Sequence, residues 1–200
     1  MKKLFYLFVL IIPSIAWCQN NSSILEFYPL TFVERIANIS AIKSLVKADH
    51  LGKEDFFFTT HYKDNSGLFL LKKEKGNWFV YDYELYESAG RNTVVTNIKE
   101  ANKRFVAIQV SSSPSGVCES HYGRLILIDV ARKESTDFLY FSETQCYDKN
   151  GKASSLSTCR AKYTFIGDRL IIKTTNKKGA TDCIGGGIYE YRDGKFVKMK

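Results

Sequence analysis

The chain has 200 residues, carries 29 lysines and arginines against 21 aspartates and glutamates, and has a formal net charge of +8. Its length fits one domain, large enough to bury a self-sufficient core. The basic residues form pairs at Lys72-Lys73, Arg132-Lys133 and Lys177-Lys178 but no run of five or more, so the excess reads as a solvated surface and no nucleic-acid partner is expected.

The chain opens MKKLFYLFVLIIPSIAWCQN. Two lysines, the apolar stretch Leu4 to Ile12, Pro13 and the small residues Ser14 and Ala16 follow the order of a secretory leader. The apolar run is shorter than the roughly 20 residues a membrane-crossing helix needs. Residues 1–18 are therefore expected to be removed, by cleavage after Cys18 with Ala16 and Cys18 at −3 and −1. The alternative is lipidation of Cys18: Ile15 and Ala16 suit a lipobox, whereas Trp17 occupies a position that usually holds a small residue. Membrane association is expected only in that case; otherwise the protein is periplasmic or secreted. Without the leader, 27 basic and 21 acidic residues leave a net charge of +6, and the excess lies in the second half: residues 19–98 hold nine basic and ten acidic residues, 99–200 hold 18 and 11.

Residues 19–54 form an N-terminal segment in which 29–52 is predicted to be helical. Thr31 and Glu34 make a capping-box pattern after Pro29, Phe32, Ile36, Ile39, Ile42, Leu45 and Val46 recur at helical spacing, and Gly52 supplies a stop. From 55 to 200 the pattern changes to short β-branched and aromatic runs between turn residues. Strands are predicted at 56–62, 67–73, 77–85, 93–99, 104–111, 123–130, 136–143, 161–166, 169–175, 186–192 and 195–199. No crossover helix separates them, so neighbours are expected to pair antiparallel. The expected fold is thus all-β, an antiparallel meander of about 10–11 strands, curled, barrel-like or two-layered. A partial β-propeller-like assembly is the alternative, although eleven strands make fewer than the roughly four blades that closure needs. Strands 104–111 and 123–130 are apolar on both faces and require cover on both. The last strands are more polar and are expected near an edge.

Along this meander, compact turns collect at one end and longer loops, 63–66, 86–92, 112–122, 144–160 and 176–185, at the other. Cys118, Cys146, Cys159 and Cys183 fall in or beside the long loops. An even cysteine count in an exported chain reads as two disulfides, for which three pairings exist; the meander brings Cys118 near Cys146 and Cys159 near Cys183. None of the four lies in a CxxC, which weakens the redox and zinc readings.

Catalytic patterns are weak. Asp82 and Glu84 share a strand face, with Glu87 following, as a wet face commonly shows. The SSSPSG serines do not form a GxSxG elbow, and Gly185 to Gly187 precedes a strand and not a helix. Of His50, His61 and His121, only His121 sits in half a constellation, with Glu119 two residues before it and Tyr122 after it, but without an identifiable third partner. No catalytic residue, metal or cofactor is assigned. Tyr86, Arg91, Tyr122, Tyr147 and Arg160 join Glu119 and His121 as candidate contact residues at the long-loop end, since tyrosine and arginine dominate binding hot spots. A binding module for a protein or cell-envelope ligand is the leading expectation; a periplasmic inhibitor or immunity protein and a glycan or peptide hydrolase are the alternatives.

Overall fold

The computed structural model describes residues 24–37, 53, 55–63, 65–83, 91–114, 118–177 and 183–200. These form strands β1 (Ile24–Glu26), β2 (Tyr28–Pro29), β3 (Thr31–Ile36), β4 (Phe56–Tyr62), β5 (Asn65–Glu74), β6 (Asn77–Tyr83), β7 (Arg91–Glu100), β8 (Phe105–Pro114), β9 (Cys118–Asp129), β10 (Glu134–Tyr147), β11 (Ala153–Ile166), β12 (Arg169–Lys177), β13 (Gly187–Arg192) and β14 (Lys195–Lys198). Every strand pairing among the described residues is antiparallel. A large sheet has the order β1-β14-β13-β12-β11-β10-β9-β8-β7, with β2 paired to β10, and a small sheet has the order β3-β6-β5-β4. The all-β meander is therefore present, as two sheets and not as a closed barrel.

Where the sequence predicts the first turns of a helix, Thr31–Ile36 is instead a strand, with Thr31 opposite Asp82 and Ile36 opposite Trp78. Thr31, Val33 and Ile36 are β-branched and suit a pleated ladder, and the partner that decides the matter lies far along the chain, invisible to local periodicity. Glu34 accepts a hydrogen bond from the Tyr62 hydroxyl and pairs with Lys63. Lys63 first and Tyr62 second hold its carboxyl below the usual range. The remainder of the predicted helix, 38–52, lies outside the described residues, as do residues 1–23 with Cys18, and also Glu84, Tyr86 and Glu87.

The middle of the large sheet is covered on both faces, as its two-sided apolar strands require. Val106, Ile108, Val110, Ile126 and Ile128 pack against Leu30, Phe56, Phe58, Leu68, Leu70 and Tyr81 of the N-terminal segment and the small sheet. On the opposite face, Phe105, Leu125, Leu127 and Phe138 meet Leu25, Leu170, Tyr189 and Phe196. The second contact exists because the large sheet folds over itself. Phe141–Tyr147 of β10 pair with β11, while Glu134 and Ser135 pair with β2, and the amide of Ile184 donates to the Leu139 carbonyl at 3.1 Å between these two stretches. Ala161–Ile166 of β11 continue alongside β12. The sheet splits there, and β11–β14 with β1 turn across the face of β8–β10.

Turn chemistry fixes the end opposite the disulfides. Lys75-Gly76 and Asp193-Gly194 have positive φ at both central positions (48° and 82°, 49° and 82°), the two-residue hairpin geometry whose twist matches the flanking strands. Buried Asp129, at the end of β9, accepts from Arg104 Nε at 2.8 Å and from the Arg132 amide at 3.1 Å. The same guanidinium lies 4.2 Å from the Tyr191 ring centroid, joining β8 and β9 to β13. This buried carboxylate is consumed by the fold.

The register of β10 shifts between Leu139 and Phe141. A Cβ built on the facing Gly123 would come within 2.9 Å of the Tyr140 ring. Glycine therefore makes room for the aromatic ring that the bulge lays over β9. Gly123→Ala is expected to destabilise the protein by about 1–3 kcal/mol, the usual range for overpacking, read as a lower urea midpoint at unchanged slope.

Candidate functional site

The disulfide end of the large sheet is built from the longest strands. Sequence reading leaves 112–122 and 144–160 mostly as loops, because Ser, Thr, Gln and Cys provide no apolar alternation there. The ladders nevertheless continue: β9 begins at Cys118, β10 extends to Tyr147 and β11 begins at Ala153. Backbone pairing needs no apolar side chain, only a neighbouring strand in register. Cys118 stands directly opposite Cys146 and is bonded to it, with Cα atoms 4.2 Å apart; Cys159 is bonded to Cys183, with Cα atoms 5.8 Å apart. Two disulfides point to an oxidising environment outside the cytoplasm.

Alternation along these strands sorts the side chains into two faces. On one, His121 lies opposite Glu143, Glu119 opposite Gln145, and Arg160 opposite Phe141. The Ser113 hydroxyl is 2.9 Å from His121 Nδ1, Arg160 is 3.7 Å from the Glu143 carboxylate, and the Arg160 guanidinium lies 5.4 Å from the Phe141 ring centroid. The Tyr147 hydroxyl donates to Glu119 at 3.3 Å. The Glu119 charge, with a smaller contribution from burial, raises the Tyr147 phenol above its ordinary value, so it remains a donor at neutral pH.

Glu119, His121, Tyr147 and Arg160 thus share one open polar face. Sequence reading missed two further members, Ser113 and Glu143; both become visible once β8, β9 and β10 are set in register around His121. Tyr122 belongs to the opposite face, in register with Ser112 and Ser142 and on the side of the Cys118–Cys146 bridge. Arg91 is brought to the same end by its pairing with Pro114.

The face offers an imidazole, a guanidinium, a phenol and two carboxylates within three adjacent strands. The Arg160 side chain is 71% exposed, and an ion pair so accessible contributes little to stability, which leaves it open to an incoming ligand. Among the described residues no group of three or more His, Cys, Asp or Glu side chains is placed to hold a metal ion. His61, the other described histidine, is exposed at the end of β4 beside Thr60. Comparison of the chain with protein-family models, with curated proteins and with solved structures finds no match in any of the three.

Proposed function

We propose that the protein is an exported, non-enzymatic binding module, periplasmic or secreted, that holds a protein or cell-envelope ligand on the face bearing Glu119, His121, Glu143, Tyr147 and Arg160. The reading is supported by one observation above the others. The strands that carry this open polar set are tied by the Cys118–Cys146 bridge, so the groups are held in place before any ligand arrives, which reduces the ordering cost of binding. Mixed charge with a tyrosine and an arginine is also the chemistry of contact hot spots.

The test is retention on isolated cell-envelope material. A folded His121→Ala/Arg160→Ala double variant is expected to bind about tenfold or more weakly than the parent, the effect of removing a hot spot. Retention equal to the parent's defeats the proposal. The 2.9 Å approach of Ser113 to His121 favours hydrolysis as the second reading, since an imidazole beside a hydroxyl can activate it as a nucleophile. Turnover of an ester or peptidoglycan substrate that disappears in Ser113→Ala would replace the binder by a hydrolase.

A further inference from the structure

Beyond Arg160, the outer side of β11 runs on into a second set of exposed side chains whose composition is unlike that of the disulfide end. Where β11–β14 and β1 fold over the core, every second residue points inward: Phe165, Leu170, Ile172, Tyr189, Phe196 and Leu25. The intervening residues form the outer face. Register aligns them in rows without a bulge: Lys162 with Lys173, Thr164 with Ile171 and Ile188, Ile166 with Arg169, Glu190, Val197 and Ile24, and Arg192 with Lys195 and Glu26. Met199 extends the apolar part, its amide donating to the Ile188 carbonyl.

Two properties of this face call for a cause. Ile166 is 62% exposed, Ile188 43% and Met199 39%, although an isolated domain gains nothing from aliphatic side chains spread over an open sheet. Five cations, Lys162, Arg169, Lys173, Arg192 and Lys195, stand against two carboxylates, Glu26 and Glu190, and the cations are placed unfavourably for the fold. Lys162 directly faces Lys173 and Arg192 directly faces Lys195, and like charges opposite one another across strands are destabilising. Glu190 answers only Arg169 and Arg192. A surface that combines exposed aliphatic groups with facing like charges matches one that is itself anionic and apolar beneath its charge.

We propose that the outer face of β11–β14 and β1 docks on an anionic lipid bilayer. Lys162, Lys173, Arg169, Arg192 and Lys195 contact headgroup phosphates, while Ile166, Ile188 and Met199 enter the boundary between headgroups and acyl chains. The sheet supplies the aliphatic and cationic positions that an amphipathic helix supplies elsewhere, at strand spacings of about 4.8 Å. Contact of this kind does not require a lipid on Cys18. Its residues follow Arg160 along the same side of β11 but include none of the polar set around His121, so substitutions separate the two proposals.

The test is cosedimentation of the purified disulfide-bonded protein, without attached lipid, with vesicles of phosphatidylcholine alone or mixed with phosphatidylglycerol. Binding is expected only to the mixed vesicles and is expected to weaken with added salt. Lys162→Gln/Lys173→Gln should weaken it about 25-fold, at about fivefold for each cation removed near an anionic surface, while raising the unfolding midpoint because the facing charges are gone. Ile166→Ser/Ile188→Ser should weaken vesicle binding without changing the response to salt. Absence of binding to the mixed vesicles overturns the proposal, as does binding indifferent to the lysine substitutions. Equal binding to soluble dextran sulfate that ignores the isoleucine substitutions overturns it in favour of a polyanion, and a dimer in solution abolished by Ile188→Ser overturns it in favour of a second copy of the chain.

Discussion

Phe105→Ala is expected to cost about 3–5 kcal/mol of folding stability, the range for removing a fully buried aromatic side chain. Phe105 is inaccessible to solvent at the start of β8. Its ring centroid lies 5.5 Å from that of Phe27, 6.2 Å from Phe165, 5.1 Å from Tyr191 and 5.3 Å from Phe196. These partners come from the N-terminal segment, β11, β13 and β14, so one truncation empties the point where the two halves of the curled large sheet meet. Such a cavity cannot be closed by moving one element, because Phe165, Tyr191 and Phe196 are each held in a ladder. Urea denaturation followed by tryptophan fluorescence gives the value, and a loss below about 1 kcal/mol would show that the halves are not packed through this ring.

The second large effect is expected on losing the disulfides. Their sequence separations are 28 and 24 residues, and loops of that length restrict the unfolded chain by about 3.5 kcal/mol each in the chain-entropy account. The two loops follow one another without overlapping, so their contributions should nearly add. Removing Cys159 and Cys183 together as alanines should lower the melting temperature by about 10 °C, taking about 2–4 °C per kcal/mol for a chain of this size. Breaking both bridges removes about 7 kcal/mol, comparable with the whole stability of a typical domain. In dithiothreitol the protein is therefore expected to unfold at far lower urea than in its oxidised form; coincident curves would contradict this.

Much of the architecture was legible from residue patterns. Strands from 56 onward are found close to their predicted places, and alternation along β6 puts Phe79, Tyr81 and Tyr83 toward the large sheet and Trp78 and Val80 with Tyr62, Phe69 and Leu71 on the far side. Two-sided apolar strands correctly announced a two-sided cover. What escaped was whatever depends on distant partners. Thr31–Ile36 read as helical because capping and periodicity are local, whereas its strand state is set by β6 more than forty residues later. The polar ends of β9, β10 and β11 read as loops because side-chain alternation disappears there while the backbone ladder persists. The candidate site was half legible for the same reason: Glu119 and His121 are neighbours in sequence, but Ser113 and Glu143 join them only through cross-strand register, and Tyr122 falls on the other face by the same alternation.

The pairing of β1 with β14 sets Ile24 opposite Val197 and Leu25 opposite Phe196, joining the first described strand to the last. A polypeptide delivered N-terminus first must therefore leave Leu25 without its native pocket until the final strand has been released. Maturation of the core is consequently a post-delivery event: hairpins such as β9–β10 can form while the chain is still emerging, but the sheet is finished only after the carboxyl end arrives. Premature termination ahead of Lys195 would leave β1 without its partner strand, and not merely shorten the opposite end.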